Sequence, residues 1–159
     1  MPSHKHPPTF IWRLMRRMSS RVIRLVAAGR GPAGVVLVLT TTGRRSGLPR
    51  QTPLQYEQVG DDFYIASARG PQADWFCNLQ ADPRVQVLVA GRQFPAHAEA
   101  VTDPTRIADF LALRLQRRPR MVGLIMRLEG FPLRYTRADL EQFAAGKALA
   151  VLHPLPQSQ

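Results

Sequence analysis

Two hairpin signals constrain the fold of this 159-residue chain more than any other feature. The turn residues Gly60-Asp61-Asp62 and Ala90-Gly91-Arg92 each stand between two short runs that are rich in apolar and β-branched residues. This pattern is typical of antiparallel strands joined by tight turns. Strands are predicted over Val35–Thr41, Gln51–Val59, Phe63–Ala68, Val85–Val89, Phe94–Val101 and Ala148–His153. Because about six short strands lie mostly in hairpins, we expect a small antiparallel β-barrel of the α+β or mainly β class.

Helices are expected at the periphery of that barrel, at both its N-terminal and C-terminal ends. They are predicted over residues 9–27, Asp74–Gln80, Thr102 to about Gln116, Met121–Leu128 and Thr136–Ala145. The last helix begins with capping-box spacing between Thr136 and Asp139 and closes at Gly146. No internal repeat or linker divides the chain. A single domain is therefore predicted over residues 9–153, with a flexible N-terminus at 1–8 and a Pro-rich tail at 154–159.

The positive charge of the chain is concentrated at one end. The formal net charge is +11, and ten of the 22 Lys and Arg residues lie within residues 1–56, which hold none of the 11 Asp and Glu residues. Such a field attracts phosphates, acidic lipids, nucleic acid or an acidic coenzyme. We expect no nucleic-acid partner, because the basic segment lacks interleaved aromatic residues and any recognised nucleic-acid motif.

The predicted N-terminal helix, residues 9–27, is amphipathic. Its apolar residues recur every three or four positions on one side, whereas Arg13, Arg16, Arg17 and Arg24 lie on the other. One interpretation is a helix that covers the core and turns its arginines to solvent. The other is a helix that lies on an anionic membrane surface, and a transit peptide shares the same pattern. The sequence contains no run of about 18 apolar residues, which a membrane span would need. We therefore expect a cytoplasmic protein, and the alternative is a protein that associates peripherally with a membrane.

The chain has one cysteine and four histidines. Cys77 alone excludes an intrachain disulfide, which favours a reducing, cytosolic setting, and its apolar neighbours predict an inert buried thiol. His97 falls within a predicted strand, and His153 has no visible partner. Because the sequence has no His/Cys cluster and no HExxH motif, we expect no metal.

The segment that follows the first predicted strand is an arginine-rich turn. It reads Leu39-Thr40-Thr41-Thr42-Gly43-Arg44-Arg45-Ser46-Gly47-Leu48-Pro49-Arg50. Glycines let backbone N–H groups approach an anion closely, and arginines give bidentate contacts to phosphate or carboxylate. An ordinary solvated hairpin turn uses the same residue types. A P-loop is excluded, because the two glycines are too close together and no Lys-Ser or Lys-Thr follows the second one.

Together with Gln51-Thr52-Pro53-Leu54, this run resembles the signature of the deazaflavin (F420)-dependent nitroreductases. A second family segment follows at compatible spacing: Ile65-Ala66-Ser67-Ala68-Arg69-Gly70, then Trp75, Asn78-Leu79 and Ala81-Asp82-Pro83-Arg84-Val85-Gln86-Val87. The similarity covers about residues 35–101 and the final strand, and two long motifs in the same order are more specific than one. The resemblance implies a split β-barrel of the type that binds flavin mononucleotide (FMN), with the anionic coenzyme F420 as cofactor.

The resemblance also implies which residues bind that cofactor. Those near its phosphate and polyglutamate tail would be Arg44, Arg45 and Arg50, with Ser46 and Gly47 in the same turn. The floor near the ring would be lined by Thr52, Pro53 and Leu54, and backbone N–H groups along the cofactor would come from Ala66, Ser67, Ala68, Arg69 and Gly70. Trp75 and Asn78 would close one side. Their residue types alone favour a core anchor for Trp75 and a cap of its own helix for Asn78.

The function implied by the resemblance is hydride transfer from reduced deazaflavin to a small organic acceptor. The proton would come from solvent or from Tyr135, which is the candidate donor among the side chains. The alternatives are a split-barrel oxidoreductase that uses FMN and a non-catalytic protein that binds a deazaflavin or a lipid. A homodimer is expected by analogy with related barrels. The acceptor stays open, because Ala68-Arg69-Gly70-Pro71 departs from the usual Ser-Lys-Gly-Gly and most of the family's substrate-facing tyrosines are missing.

Overall fold

The computed structural model describes residues 20–25, 28, 36–67 and 69–157. Within them the strands are β1 Val36–Thr42, β2 Pro49–Gln55, β3 Glu57–Val59, β4 Asp62–Ser67, β5 Arg84–Val89, β6 Arg92–Val101 and β7 Ala148–Pro154. The helices are α1 Asp74–Ala81, α2 Pro104–Arg117, α3 Pro119–Leu128 and α4 Arg137–Ala144, and a short 3-10 turn spans Gly70–Gln72. Residues 20–25 are also helical, in agreement with the helix predicted over 9–27. The remainder of that prediction, residues 9–19 and 26–27, lies outside the described residues.

All seven described strands form one antiparallel sheet. Its strand order is β2-β1-β5-β6-β7-β4-β3. The β3–β4 and β5–β6 neighbours are the two hairpins that the turn signals predict. The last strand, β7, lies between β6 and β4 and pairs with both. The architecture is the predicted half-barrel sheet with helices at its periphery.

The prediction of one strand over Gln51–Val59 is wrong, because the chain changes partner at Tyr56. β2 pairs with β1 as far as Gln55, whereas β3 pairs with β4 from Glu57 onward. The Tyr56 side chain is buried, and its ring lies 5.4 Å from that of Phe63 in the barrel core. Burial of this ring explains why the break occurs at an aromatic residue rather than at a glycine or proline. The described sheet therefore has seven strands instead of about six.

The sheet separates two apolar clusters. The first lies within the barrel and includes Leu37, Leu39, Phe63, Ile65, Trp75, Phe76, Val87, Phe94, Ala150 and Leu152. The second lies between the sheet and helices α2 to α4 and includes Val101, Ile107, Phe110, Leu111, Val122, Met126, Leu140, Leu149 and Val151. Successive β7 residues alternate between the two clusters, because successive side chains of a strand point to opposite faces. This double burial accounts for the unbroken apolar run at 148–152.

Local signals set the helix boundaries. The Asp103 side chain accepts a hydrogen bond from the Thr105 backbone N–H at 3.0 Å and caps α2. Arg118 separates α2 from α3, because a residue that precedes a proline disfavours helical backbone. Thr136 and Asp139 form the predicted capping box of α4. Gly146 follows that helix with a φ of +79°, a conformation that favours glycine.

Two side chains outside the candidate site differ from the sequence-based expectations. Cys77 is only half-buried, and its thiol donates a hydrogen bond to the Pro71 carbonyl oxygen at 3.3 Å. His153 does have partners: its Nε2 lies 3.1 Å from Glu99 and its Nδ1 lies 3.0 Å from Asp62. No local pattern predicts these contacts, because the three residues come together only when β7 inserts between β6 and β4.

The stabilisation contributed by His153 should decline as the pH rises. Hydrogen bonding to Glu99, and secondarily to Asp62, raises the pKa of His153 above its ordinary value. The contribution is therefore full below an unfolded-state pKa of about 6.5 and is lost as the pH rises through the higher folded-state pKa. Because the side chain is 42% exposed, solvent screening limits the effect to less than about 1 kcal/mol.

Urea unfolding of the wild type and of His153→Gln, from about pH 5 to about pH 9, measures this contribution. The difference in unfolding free energy should shrink toward high pH. A difference that is constant across the range would contradict the ion-pair explanation.

Candidate functional site

The turn between β1 and β2 is closed by its own backbone. The Gly43 N–H donates to the Leu48 carbonyl at 2.8 Å, and the Gly47 N–H donates to the Gly43 carbonyl at 2.8 Å. Gly47 has a φ of +70°. A Cβ on Gly43 would lie 2.6 Å from the Ser46 hydroxyl oxygen, closer than real Cβ atoms approach. A side chain at position 43 would therefore displace the Ser46 hydroxyl, and the backbone conformation at position 47 favours glycine.

Helix α1 fixes this turn through Asn78. The buried Asn78 Oδ1 accepts hydrogen bonds from the Arg44 backbone N–H at 3.2 Å and from Arg44 Nη1 at 2.9 Å. Its Nδ2 donates to the Thr41 hydroxyl at 3.3 Å. Arg44 Nη2 also pairs with Asp74 at 3.1 Å. The helix-cap interpretation of Asn78 is wrong, since this side chain joins α1 to the turn and α1 has no side-chain cap.

Arg44 differs from Arg45 and Arg50 in how far its guanidinium group is available to a ligand. The Arg44 guanidinium is held by Asn78 and Asp74, whereas Arg45 and Arg50 are exposed. Within the described part of the chain, neither Arg45 nor Arg50 has a side-chain hydrogen bond or an ion pair. Two guanidinium groups without an acidic partner are available to an anion.

A groove brings most of the predicted tail-binding residues together. It has a volume of about 470 Å³. Its lining, hereafter the arginine groove, consists of Gly43, Arg44, Arg45, Ser46, Arg50, Gln51, Thr52, Asp74, Trp75 and Asn78. Trp75 reaches the groove although it is largely buried, with its ring edge-on to Phe76 at 5.8 Å. The core-anchor interpretation of Trp75 is therefore confirmed, and the residue forms part of the groove wall as well.

The end of β4 forms a second tight turn. The Ser67 hydroxyl donates to the Gly70 carbonyl at 2.7 Å. Gly70 has a φ of +63°, and a Cβ there would lie 2.9 Å from the Gly146 carbonyl oxygen. Only glycine therefore fits where this turn passes the start of β7. Ala68 lies outside the described residues, and Arg69 is exposed.

A second cavity, hereafter the helix pocket, lies between the sheet and helices α2 and α3. Its volume is about 190 Å³. Apolar and aromatic walls come from Tyr56, Tyr64, Ala66, Phe110, Leu111, Val122, Ile125, Met126 and Phe143, and polar groups come from Gln55, Glu57, Ser67, Arg114, Glu129 and Lys147. Tyr64 and Phe110 stack with their ring centres 5.6 Å apart. Ala66 and Ser67, two of the predicted cofactor residues, thus face this pocket rather than the arginine groove.

A buried carboxylate at the wall of the helix pocket is surrounded by three arginines, of which only Arg114 also lines the pocket. The Glu57 side chain is 7% exposed and lies 4.0, 3.4 and 3.6 Å from Arg114, Arg117 and Arg118 respectively. The Arg114 Nε is buried and has no hydrogen-bond partner in the described chain. Burial lowers the pKa of Arg114, and its guanidinium carbon lies 5.9 Å from the centre of the Phe110 ring.

Sequence reasoning missed this cluster. The first acidic residue of the chain is Glu57, and the Arg117-Arg118-Pro119-Arg120 run lies between two predicted helices, where its pattern indicates only a helix break. A carboxylate within a half-buried strand is a signal for a buried partner. The separation of 57 residues between Glu57 and Arg114 means that no local pattern identifies the partner.

The remaining predicted residues lie apart from both cavities. Pro53 and Leu54 are half-buried on β2, with Leu54 packed against the barrel core, and Gly47 lies on the far side of its turn. Tyr135 is 45% exposed and packs its ring 4.9 Å from that of Phe131. Its role as proton donor stays a prediction. The described residues contain no group of three His, Cys, Asp or Glu side chains arranged to hold a metal, and none of the described helices is long and apolar enough to cross a membrane.

Solved structures show the fold class of this chain. One protein whose title describes a domain-swapped dimer matches with a TM-score of 0.53 at 16% identity, over 92% of this chain and 100% of its own. The heme storage protein HutZ of Vibrio cholerae matches with a TM-score of 0.53 at 16% identity, over 87% of this chain and 92% of its own. At such low identity these similarities bear on the fold alone. The fold is the split β-barrel that the sequence predicts.

Sequence comparison then gives the family. Residues 13–120 match the family model described as F420H(2)-dependent quinone reductase, so the chain belongs to that family. An F420H(2)-dependent quinone reductase of Mycobacterium tuberculosis is 37% identical over 68 residues, which are 41% of this chain and 46% of that protein. The chain thus matches just under half the length of this curated relative. The predicted resemblance to deazaflavin-dependent reductases is confirmed.

Proposed function

We propose that this chain is an F420-dependent oxidoreductase that reduces a small quinone. The observation that carries the proposal is a pair of exposed guanidiniums, Arg45 and Arg50, which have no acidic partner among the described residues. They line a groove beside β2, and the end of the same strand lines the separate helix pocket. Family membership supports deazaflavin chemistry and a quinone acceptor. The arginine groove would hold the anionic tail of the coenzyme, and the helix pocket would hold a flat apolar acceptor.

The arginine groove fits the charged part of coenzyme F420. Two free guanidiniums offer more donors than a single phosphate needs, so they match a phosphate followed by a carboxylate-bearing tail better than they match FMN. Arg44 acts differently, because its bonds to Asn78 and Asp74 hold the turn in position. Ser46, Gly47 and Thr52 belong to the same proposed site, and Pro53 and Leu54 support the strand beneath it. On the family motif we also assign Ala66 to Gly70 to the cofactor.

The helix pocket fits the acceptor. When bound, reduced F420 supplies a hydride, and a quinone becomes a quinol on gaining that hydride and one further proton. The apolar walls of the pocket exclude water and hold the acceptor ring. A quinone oxygen in this pocket would accept a hydrogen bond from the Arg114 guanidinium, which lines the pocket. The guanidinium then stabilises the negative charge that develops on this oxygen before the proton arrives.

The domain and assembly expectations also stay proposals. We propose one domain over residues 9–153 and a homodimer, and the fold match to a protein titled as a domain-swapped dimer supports the dimer. We also propose that residues 9–27 contact an anionic membrane, on the basis of their amphipathic sequence pattern. Residues 20–25, the described part of this segment, are helical.

Anaerobic turnover tests the proposed function directly. Purified protein mixed with reduced F420 and a short-chain naphthoquinone should regenerate oxidised F420 at about 1 s⁻¹ or faster. Parallel assays use reduced FMN in place of reduced F420, and a nitroaromatic compound in place of the quinone. If the protein binds F420 but reduces none of the acceptors, it is a deazaflavin-binding protein and not an enzyme. Preference for FMN would overturn the cofactor assignment.

The same assay locates the acceptor when it is repeated with Arg114→Met. This variant should raise the KM for the quinone by about tenfold or more and leave the KM for reduced F420 unchanged. Arg117→Met is the matched control, because Arg117 also contacts Glu57 and carries the same charge but does not line the helix pocket. Equal effects of the two variants would contradict the placement of the acceptor beside Arg114.

A further inference from the structure

The outer face of α3 is apolar although nothing in the described chain covers it. One side of the helix packs inward through Val122 and Met126. On the other side Leu124 is 58% exposed and Leu128 is 81% exposed, and Met121 and Ile125 beside them are also exposed. Leu133, just beyond the helix, is 71% exposed. Large apolar side chains clustered on one surface mark an interaction site rather than ordinary surface composition.

Arginines surround these apolar residues. Arg120 and Arg127 on α3 and Arg134 beyond it are exposed, and among the described residues none of the three has an ion pair or a side-chain hydrogen bond. The acidic residue within this segment, Glu129, is paired with Lys147 at 3.0 Å. The surface formed by Arg120, Met121, Leu124, Ile125, Arg127, Leu128, Leu133 and Arg134, hereafter the α3 patch, therefore combines exposed apolar groups with unpaired positive charge.

The α3 patch is continuous with the helix pocket. Ile125 belongs to both, because it lines the pocket and is 43% exposed at the surface. Its helix neighbour Met126 lines the pocket from the buried side. The patch and the pocket therefore share one wall residue, so a molecule at the patch lies next to the helix pocket.

We propose that the α3 patch docks this protein on an anionic lipid bilayer, with Leu124 and Leu128 in the interfacial region and Arg120, Arg127 and Arg134 at the headgroups. A short helix with one apolar face and basic residues alongside is typical of segments that lie in the plane of a membrane interface. Charge complementarity favours acidic lipid, because the charged side chains of the patch, Arg120, Arg127 and Arg134, are all positive. Docking itself does not depend on turnover. Its use, delivery of a lipid-soluble quinone to the helix pocket, rests on the proposed function.

Vesicle sedimentation tests the proposal with the full chain. The wild type should bind vesicles that contain phosphatidylglycerol and should bind much less to pure phosphatidylcholine, and the binding should weaken as salt increases. Leu124→Ser/Leu128→Ser should reduce the partition coefficient by about tenfold or more. Arg120→Gln/Arg127→Gln should reduce it by about fivefold per arginine on anionic vesicles only.

Two matched controls separate the patch from general charge and hydrophobicity. Leu155→Ser removes an exposed leucine outside the patch, and Arg84→Gln/Arg92→Gln removes two positive charges from the β5–β6 hairpin. Both controls should bind anionic vesicles as the wild type does. The proposal is overturned if the patch variants bind like the wild type, or if the charge control loses as much binding as Arg120→Gln/Arg127→Gln. It is also overturned if the leucine variant instead dissociates a dimer of the wild type in sedimentation velocity. Failure of quinone turnover with intact vesicle binding would overturn the proposed function and leave the docking site standing.

Discussion

Replacing Arg45 and Arg50 together by glutamine should weaken the binding of coenzyme F420 by about 100-fold or more and leave the fold intact. Both side chains are exposed, and among the described residues neither supports any other group, so their removal costs little stability. Each charge-assisted contact to a phosphate or carboxylate contributes about 1.5–3 kcal/mol, which corresponds to roughly tenfold or more per arginine. Fluorescence titration of F420, with thermal unfolding in parallel, measures both quantities.

Two comparisons make this titration specific. Arg84→Gln/Arg92→Gln removes the same charge elsewhere and should leave the affinity nearly unchanged. Arg44→Gln should lower affinity and thermal stability together, because it removes the bonds that Arg44 makes to Asn78 and Asp74. Binding of F420 that survives the Arg45/Arg50 change at low salt would show that the coenzyme tail does not lie in the arginine groove.

Glu57→Gln should destabilise the protein by about 3 kcal/mol, because removal of one member of a buried ion cluster leaves the others uncompensated. The Glu57 side chain is 7% exposed and faces Arg114, Arg117 and Arg118. Arg117 and Arg118 reach solvent and can reorient, but the Arg114 side chain is only 18% exposed and would stay buried with its charge. Urea unfolding at neutral pH gives the change in free energy directly.

A matched carboxylate shows whether burial is the cause. Glu99→Gln removes a glutamate that also contacts two basic side chains, Arg106 and His153, but is 38% exposed. It should cost less than about 1 kcal/mol. Adding Arg114→Met to Glu57→Gln should recover part of the stability lost in the single variant, since the unpaired charge is then gone. A Glu57→Gln cost no larger than that of Glu99→Gln would refute the buried cluster.

The parts of the fold that the sequence predicts well are those governed by local physics. The turns at Gly60 and Gly91 and the capping box at Thr136 depend on residues only a few positions apart, and each is present. The break at Tyr56 was missed, because its cause is the burial of one ring against Phe63 and not a turn residue.

The candidate site divides in the same way. The arginine turn and its glycines were identified from one continuous motif, yet the motif treats Arg44 and Arg45 as equivalent. Their difference arises because α1 presents Asn78 and Asp74 to Arg44 alone. The cluster around Glu57 could not be predicted from the sequence for the same reason. Its members come from β3 and from the region of α2, which are distant along the chain and meet only in the folded structure.

The position of β7 has a consequence for the order of assembly. Until residues 148–154 are in place, β2-β1-β5-β6 and β4-β3 are two separate pieces of sheet, each with an unpaired edge. Closing them requires contacts between segments that are distant along the chain, such as Glu99 with Val151 and Phe63 with Leu152. Such non-local pairing is slow, and exposed strand edges associate with other chains. During synthesis the two half-sheets therefore emerge before the segment that joins them, and their open strand edges need protection from aggregation until β7 inserts.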